Sequence, residues 1–290
     1  MKNLSRKNLI TLLLPSFLFI IFVFAVPIFY SIFISLHHYN ILLPYHPFVG
    51  FKNYIKLFQD SVFWSSLKIT LYFVVVAVTI ELSLAMLIAL LLNQDFKGRE
   101  FLRVILMVPW AVPWVVNGIM WKWIFNSEFG VLNKLLLQIG IIEKNIKWLG
   151  KPFLALNMMI FADVWKETPF IAILLLAGLQ AIPIDYYEAA EIEGANSWVK
   201  FCRITLPLLK PVTFVALSLR TIWAFKSFDL VYALTQGGPS QGTNLLNFYI
   251  YQTTFSHLDF GYGATLSLVL TIIILVITLL FYKFILTEEE

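Results

Sequence analysis

Two runs of charged and aromatic residues lie inside long apolar stretches of the chain. Both have the spacing i, i+3, i+4 and i+7, which places four side chains on one face of an α-helix. The first run is Asp163, Lys166, Glu167 and Phe170, and the second is Arg220, Trp223, Ala224 and Ser227. Carboxylates accept hydrogen bonds, cations donate them, and an indole ring presents a flat apolar face. Two such faces across a cavity would suit the hydroxyl groups and the apolar face of a sugar ring.

The same residues allow a second interpretation. A charged side chain at the centre of a bilayer costs about 2.5–3.5 kcal/mol on insertion scales, so such residues face a cavity or one another. Asp163, Lys166, Glu167 and Arg220 could neutralise one another as a buried ion network that joins two helices. A binding site and an ion network both stay open here, and they could coexist. Glu81, alone among apolar neighbours, is expected to hydrogen-bond between helices.

The composition indicates that these helices lie in a membrane. The chain has 290 residues, of which 60% are hydrophobic and only 13% are charged, and its mean hydropathy is +0.82. Soluble domains carry about 25% charged residues. So apolar a chain excludes most soluble enzymes and nucleic-acid readers. The net charge of +4 comes from scattered basic residues that flank apolar runs, so we expect no nucleic-acid partner.

The remaining reactive residues predict no further chemistry. A single cysteine, Cys202, cannot form a disulfide within the chain, and the four histidines have no metal-ligand spacing. We therefore expect no metal site and no catalytic residues. Five tryptophans near the ends of apolar runs are expected to anchor at the lipid headgroups: Trp110, Trp121, Trp123, Trp148 and Trp165.

Six apolar stretches are long enough to cross a bilayer as helices, which takes about 20 residues each. The predicted spans are residues 9–36, 65–92, 101–125, 152–180, 208–230 and 264–284. Arginine is concentrated on the flanks that we assign to the cytoplasm, at Arg6, Arg99, Arg103 and Arg203. By the positive-inside rule, both termini are predicted to be cytoplasmic. We expect one all-α integral membrane domain over residues 1–290, with six transmembrane helices.

The loop 182–207, between the fourth and fifth spans, is predicted to form two short helices. Pro183 suits the start of the first helix, and Gly194 suits its end because glycine adopts the left-handed conformation readily. Ser197 is expected to cap the second helix, and Pro207 to mark its junction with the fifth span. Such a loop is either a solvated connector or an acidic projection that docks into a partner.

The spacing within this loop resembles the EAA loop of binding-protein-dependent ABC import permeases. The matching residues are Glu188, Ala189, Ala190, Glu191, Gly194 and Pro207. The resemblance implies the transmembrane domain of a type I ABC importer, in which the segment 188–194 forms a coupling helix seated in a groove of an ATPase subunit.

Three further segments are similar to the sugar-importer branch of that family, the maltose-type first permease subunit in its compact six-span form. They are 228–240 with its Gly-Gly-Pro sequence, the two short runs 247–251 and 259–263 that follow it, and Val49–Tyr54. This resemblance implies that positions around Trp165 and before the Gly-Gly-Pro segment line a sugar pocket. It adds Trp114 as a pocket position, with Asn117 one helical turn further on.

The function implied by the resemblance is that of a permease subunit of an ATP-driven importer for a sugar, an oligosaccharide or glycoside. Its partners would be a second related permease, an ATPase dimer and an extracytoplasmic solute-binding protein. The chain has no Gly-x-x-x-x-Gly-Lys-Ser/Thr loop, so ATP and Mg²⁺ would be bound by the partner ATPase and this chain would bind no cofactor.

Three alternatives stay open. The buried charges could serve a permease for a charged solute, such as a phosphorylated polyol or a polyamine. Asp163 or Glu167 could act as acid or base in a membrane-embedded enzyme. A secondary carrier would use a proton or sodium gradient without ATP, and the acidic loop would then have no evident role.

Overall fold

The long apolar runs form helices, which satisfy their own backbone hydrogen bonds as a segment in lipid must. The computed structural model describes residues 6–286, with side chains from 13 to 285. Apart from two isolated bridge pairs, His37 with Phe48 and Asn40 with Asp259, this part of the chain contains no strand. The two termini, for which we predict a cytoplasmic location, lie outside the described residues.

Four helices are long and apolar enough to cross a bilayer by themselves: Leu13–Ser35, Ser61–Leu92, Ser197–Phe225 and Phe260–Ile285. Two bent pairs qualify when each pair is taken as one span, which raises the number of candidate spans to six. These pairs are Arg99–Ala111 with Trp114–Ile124, and Pro152–Gln180 with Asp185–Ile192. The shorter helices are Lys52–Gln59, Val131–Gln138, Asp229–Leu234 and Leu246–Tyr251, and π turns occur at Ile21–Ala25, Phe201–Thr205 and Gln252–Ser256.

The third predicted span, 101–125, is not one continuous helix. Its two halves meet at 91° across residues 112–113. Pro113 has a fixed φ and no N–H to donate, and it forces the preceding residue out of the helical region. Val112 accordingly has φ −70° and ψ 127°. The proline that the sequence places inside an apolar run therefore turns the span sharply.

The fifth span differs from the prediction at both ends. Its helix covers Ser197–Phe225, so the predicted second loop helix is simply the first turn of this span. Asn196 rather than Ser197 is the N-cap, because its side chain accepts a hydrogen bond from the amide of Val199 at 2.9 Å. Pro207 makes no junction: it lies in the first turn after the π turn, where a missing N–H is tolerated.

The backbone contacts divide the chain into two compact units. The first combines Met1–Ser61 with Ile250–Ile272. Within it, Asn53 donates to the carbonyl oxygens of Ser35 and His37 at 2.8 and 3.0 Å. Lys56 pairs with Asp259 at 3.2 Å. These polar contacts tie the helix Lys52–Gln59 to the segments on either side of it in this unit.

The second unit combines Val62–Tyr249 with Ile273–Glu290 and contains a closely packed apolar core between spans. Small residues on three helices let the backbones approach closely, as is common in membranes. At Gly178 on the fourth span, a Cβ would lie only 2.8 Å from the side chain of Leu209 on the fifth. The fully buried members of this core are Ala85, Ala89, Ile171, Ala172, Leu175, Leu209 and Ala216. This packing fixes how the fourth and fifth spans face each other.

Candidate functional site

A cavity of about 610 Å³ opens inside the second unit, beside the broken third span. The turn at Val112–Pro113 places Trp110 and Trp114 at its wall. The fourth and fifth spans supply polar and aromatic groups to the opposite sides. Its lining consists of Trp110, Ala111, Val112, Pro113, Trp114, Lys166, Glu167, Trp223, Lys226, Ser227, Phe228, Asp229 and Leu230. The volume lies within the range of about 300–1,000 Å³ that is typical of small-molecule sites.

Lys166 is held in place by the protein before any ligand arrives. Its Nζ donates a hydrogen bond to the carbonyl oxygen of Trp110 at 2.9 Å and lies 3.5 Å from Oε1 of Glu167. It also lies 4.7 Å from the ring centre of Trp114, which is a cation–π distance. The ammonium is therefore neutralised and oriented, and its remaining donor capacity is available at the cavity wall.

Aromatic rings from three segments contact one another in series at this wall. Trp110 stacks on Phe170 with ring centres 5.4 Å apart and planes 16° apart. Phe170 in turn contacts Trp223 at 5.4 Å, with the two planes tilted by 48°. Phe170 does not itself line the cavity, whereas both indoles do. The phenyl ring therefore packs against both indoles and helps to hold them at the cavity surface.

Arg220 lies in a buried ion network and not at the cavity. Its guanidinium pairs with Glu81 through Nε and Nη2, and with Asp163 through Nη2. All three side chains are at most 1% exposed, and they come from the second, fourth and fifth spans. The network joins three helices, and Glu81 is the interhelical partner that its isolated position in the sequence predicts.

The structure thus separates the residues predicted to bind substrate. Five of them line the cavity: Trp114, Lys166, Glu167, Trp223 and Ser227. Arg220 and Asp163 belong to the ion network, Ala224 is fully buried, and Phe170 supports the indoles. Asn117 is fully buried and donates to the carbonyl oxygen of Ala162 at 3.4 Å. The binding role of the whole set stays a prediction.

Eight of the thirteen cavity residues are not among the site residues predicted from the sequence, and four of these eight are charged or aromatic. Trp110 is interpreted from the sequence as a headgroup anchor because it is grouped with the tryptophans near the ends of apolar runs, but it lines the cavity. Lys226, Phe228 and Asp229 follow the end of the fifth span, so they fall outside the helical spacing by which we selected the others. The sequence feature that could have indicated the last three is the run of charged and aromatic residues that continues past Ser227.

Among residues 6–286, no cluster of three or more His, Cys, Asp or Glu side chains could hold a metal ion.

The EAA-like residues lie on a separate short helix, Asp185–Ile192, which we call the loop helix. It carries Glu188, Ala189, Ala190 and Glu191. Gly194 follows it with φ +81°, in the left-handed conformation predicted for a C-terminal cap. Ile192 is 89% exposed and Tyr186 is 54% exposed, and only Tyr187 and Ala190 of the loop helix are half-buried, so most of its surface faces away from the rest of this unit. Pro207 lies beyond it, in the fifth span.

Comparison with known proteins agrees with this architecture. A family model described as "Binding-protein-dependent transport system inner membrane component" matches residues 81–286. The trehalose/maltose transport system permease protein MalF of Thermococcus litoralis is 42% identical over 275 residues, which are 94% of this chain and 91% of that protein. The sulfoquinovosyl glycerol transport system permease protein SmoG of Agrobacterium fabrum is 38% identical, over 83% of this chain and 78% of that protein.

The fold is also that of a solved ABC importer. A chain of a bacterial alginate ABC transporter, crystallised with an alginate pentasaccharide-bound periplasmic protein, superposes with a TM-score of 0.84. It is 23% identical and covers 99% of this chain and 98% of its own length. The all-α fold is therefore that of a type I ABC importer transmembrane domain.

Family membership implies a multi-pass inner-membrane protein that works in an assembly with a second permease, an ATPase and a solute-binding protein. Its role in that assembly is transport and not catalysis. The chain belongs to the family of binding-protein-dependent transport system inner membrane components, as a permease subunit of an ABC transporter.

Proposed function

We propose that this chain forms half of the translocation pathway for a sugar, an oligosaccharide or glycoside, that a solute-binding protein delivers. The observation that carries the proposal is the cavity: three indoles, from Trp110, Trp114 and Trp223, surround fixed polar groups in a space of about 610 Å³. Indoles stack on the apolar faces of pyranose rings, and the ring hydroxyls hydrogen-bond with the polar groups between them. Two similar permeases belong to transport systems for trehalose and maltose and for sulfoquinovosyl glycerol.

The charge of the cavity favours a neutral solute over a charged one. Its lining carries two cations, Lys166 and Lys226, and two anions, Glu167 and Asp229. Lys166 and Glu167 already neutralise each other at 3.5 Å. Arg220, the cation that suggests an anionic solute in the sequence, is fully engaged by Glu81 and Asp163. A cavity with balanced charge offers both donors and acceptors, which suits hydroxyl groups.

The loop helix is the part of the chain that we propose to dock on the ATPase. Glu188, Ala189, Ala190, Glu191 and Gly194 would form the coupling helix, and Pro207 would lie beyond it, inside the fifth span. Ile192 is apolar and 89% exposed, which supports a partner that would cover this end of the loop helix. ATP and Mg²⁺ would be bound by an ATPase dimer, and the second permease would be a related chain in a heterodimer. This orientation places both termini of the chain in the cytoplasm.

Uptake by the reconstituted assembly tests the sugar site. Trp114→Ala and Trp223→Ala each remove a stacking face, and aromatic contacts contribute about 0.5–1.5 kcal/mol beyond buried area, so uptake at low sugar concentration should fall about two- to tenfold. The measurement uses radiolabelled maltose, trehalose and glycosides beside a phosphorylated polyol and a polyamine. Trp123→Ala is the matched control, because Trp123 is on the same short helix as Trp114 but is 63% exposed and outside the cavity.

Preferential uptake of the phosphorylated polyol or the polyamine would contradict the sugar assignment. Equal loss of uptake in Trp123→Ala and Trp114→Ala would contradict the cavity as its site.

A further inference from the structure

The loop helix has one side that contacts its own chain. Tyr187 and Glu191, four residues apart, lie on that side. Glu191 pairs with Lys200 at 2.5 Å, and Tyr187 reaches Thr205 in the π turn Phe201–Thr205. Both contacts lead from the loop helix to the beginning of the fifth span. The loop helix and the fifth span are thus linked twice, covalently through residues 193–196 and non-covalently through these two contacts.

The contact between Tyr187 and Thr205 is the better protected of the two. The two hydroxyl oxygens are 3.0 Å apart, and Thr205 is only 4% exposed. In the ion pair, by contrast, the Glu191 side chain is 63% exposed, and exposed ion pairs contribute little because water screens them. The Thr205 hydroxyl also donates to the carbonyl oxygen of Lys200, at the longer distance of 3.5 Å. Because Thr205 is buried, water does not readily replace Tyr187 as its closer partner.

The covalent connection alone does not set the angle between the loop helix and the fifth span. The helix end is held by backbone hydrogen bonds from Gly194 to Glu191 and from Ala195 to Ala190, and no atom lies within 4 Å of the would-be Cβ of Gly194, so no side chain packs there to hold the loop helix. A second attachment, several residues further along, adds to these bonds. The Tyr187–Thr205 hydrogen bond supplies it, and it does so in a π turn, a helix irregularity that is frequent at functional sites.

We propose that Tyr187 is the positioning residue that transmits movement of the loop helix to the fifth span, through its hydrogen bond with Thr205 in the π turn. When a partner displaces the loop helix, the π turn is pulled with it, and the membrane part of the span from Leu206 to Phe225 follows. This inference rests on the proposed function, in which the loop helix docks on an ATPase.

Cys202, the single cysteine of the chain, lies inside the π turn and is partly exposed, so it reports on the turn directly. The experiment uses the whole assembly, purified through a tag on this chain, and measures the rate at which a maleimide labels Cys202. Rates are compared in the nucleotide-free state and after trapping with ATP and vanadate. In the unaltered protein we expect the two labelling rates to differ, and we express the difference as the ratio of the faster rate to the slower one. Tyr187→Phe should bring this ratio closer to one, by roughly two- to tenfold, which is the range expected for one neutral hydrogen bond.

Three further variants make the test specific. Thr205→Val removes the same hydrogen bond, together with the longer one from Thr205 to the carbonyl oxygen of Lys200 at 3.5 Å, so it should lower the ratio at least as much as Tyr187→Phe. Adding Tyr187→Phe to Thr205→Val should have no further effect, because the contact between the two side chains is already lost. Tyr186→Phe removes the same hydroxyl from the neighbouring side chain, which is 54% exposed, and should keep the ratio of the unaltered protein.

The outcomes separate this inference from the proposed function. Failure of the unaltered chain to retain an ATP-hydrolysing subunit would refute the docking of the loop helix. If that subunit is retained, but Cys202 reacts equally in both states or Tyr187→Phe keeps the full ratio, the transmission role is refuted alone. Equal effects of Tyr186→Phe and Tyr187→Phe, or loss of the ATPase from Tyr187→Phe, would also refute it.

Discussion

Single residues in this chain carry charge deep inside the protein, and the value of each depends on its partners. Removing a buried charge from water costs several kcal/mol, and only well-placed opposite charges offset that cost. Arg220 has two carboxylate partners, from Glu81 and Asp163, whereas Lys166 has one carboxylate, one backbone carbonyl and an indole. The first arrangement joins three spans, and the second prepares a cavity wall.

Replacing Arg220 should therefore destabilise the protein before it affects binding. Arg220→Met leaves two uncompensated buried carboxylates, and breaking a buried pair costs about 3–5 kcal/mol. We expect a clearly lower unfolding temperature for the purified chain in detergent. The triple variant Glu81→Gln, Asp163→Asn and Arg220→Met is neutral throughout and should recover most of that stability.

Lys226→Met provides the matched control for this measurement. Lys226 is an exposed cation at the cavity, and its loss should change stability little. The structural role would be contradicted if Arg220→Met unfolded at the temperature of the unaltered protein but no longer supported uptake. That result would indicate that Arg220 binds the solute.

At the scale of elements, two local backbone rules shape the parts that matter for function. Pro113 turns the third span by forcing Val112 into an extended conformation, which opens the cavity and brings Trp110 to it. Gly194 ends the loop helix in the left-handed conformation. In both cases a single residue type decides the direction of the chain.

Gly194→Val should reduce the amount of solute imported per ATP hydrolysed while leaving membrane insertion unchanged. A β-branched residue is strained at φ +81° by roughly 1–2 kcal/mol, so the loop helix should lose its defined end. Gly194→Asn should retain more coupling, since asparagine tolerates this conformation. The measurement is solute uptake and ATP hydrolysis by the same reconstituted assembly.

Gly98→Val separates coupling from general backbone strain. Gly98 also has a positive φ, +93°, and open space around its would-be Cβ, but it lies outside the loop helix. If it lowers the ratio of uptake to hydrolysis as much as Gly194→Val does, the role assigned to the loop helix is wrong.

At the scale of the whole molecule, this chain is one component of a larger transporter. It belongs to a family of membrane components that work with a binding protein, and it contributes helices and a cavity to the assembly. The energy for transport would come from ATP bound elsewhere, and the chain would convert the movement of a partner into a change of access to the cavity.

Uptake into proteoliposomes should therefore require ATP in the lumen and its hydrolysis by the complete assembly. With a proton or sodium gradient but no ATP, we expect no accumulation of sugar above equilibrium, because a solute moves uphill only when its transport is coupled to an energy source. Binding protein alone, without the ATPase, serves as the control. Accumulation driven by an ion gradient in the isolated chain would identify a secondary carrier.

By itself, the sequence determined the features that depend on local composition and spacing. Apolar runs of sufficient length specify membrane helices wherever they occur, so the all-α class and the positions of most spans could be predicted. Gly194 predicted the end of the loop helix, and the EAA-like spacing around Glu188 predicted the family. Each of these signals lies within a few tens of residues and needs no knowledge of distant contacts.

Only the tertiary structure decided which polar groups meet. Arg220 and Glu81 are 139 residues apart in the chain, and nothing in the spacing of either residue indicates the other. The choice between ion network and binding site depends on how far each helix is rotated about its own axis, and side-chain packing between helices sets that rotation. The same packing, together with the turn at Pro113, placed Trp110 and Lys226 at the cavity. Periodicity along a straight helix could not predict their position, because the first residue precedes a sharp turn and the second follows the end of a helix.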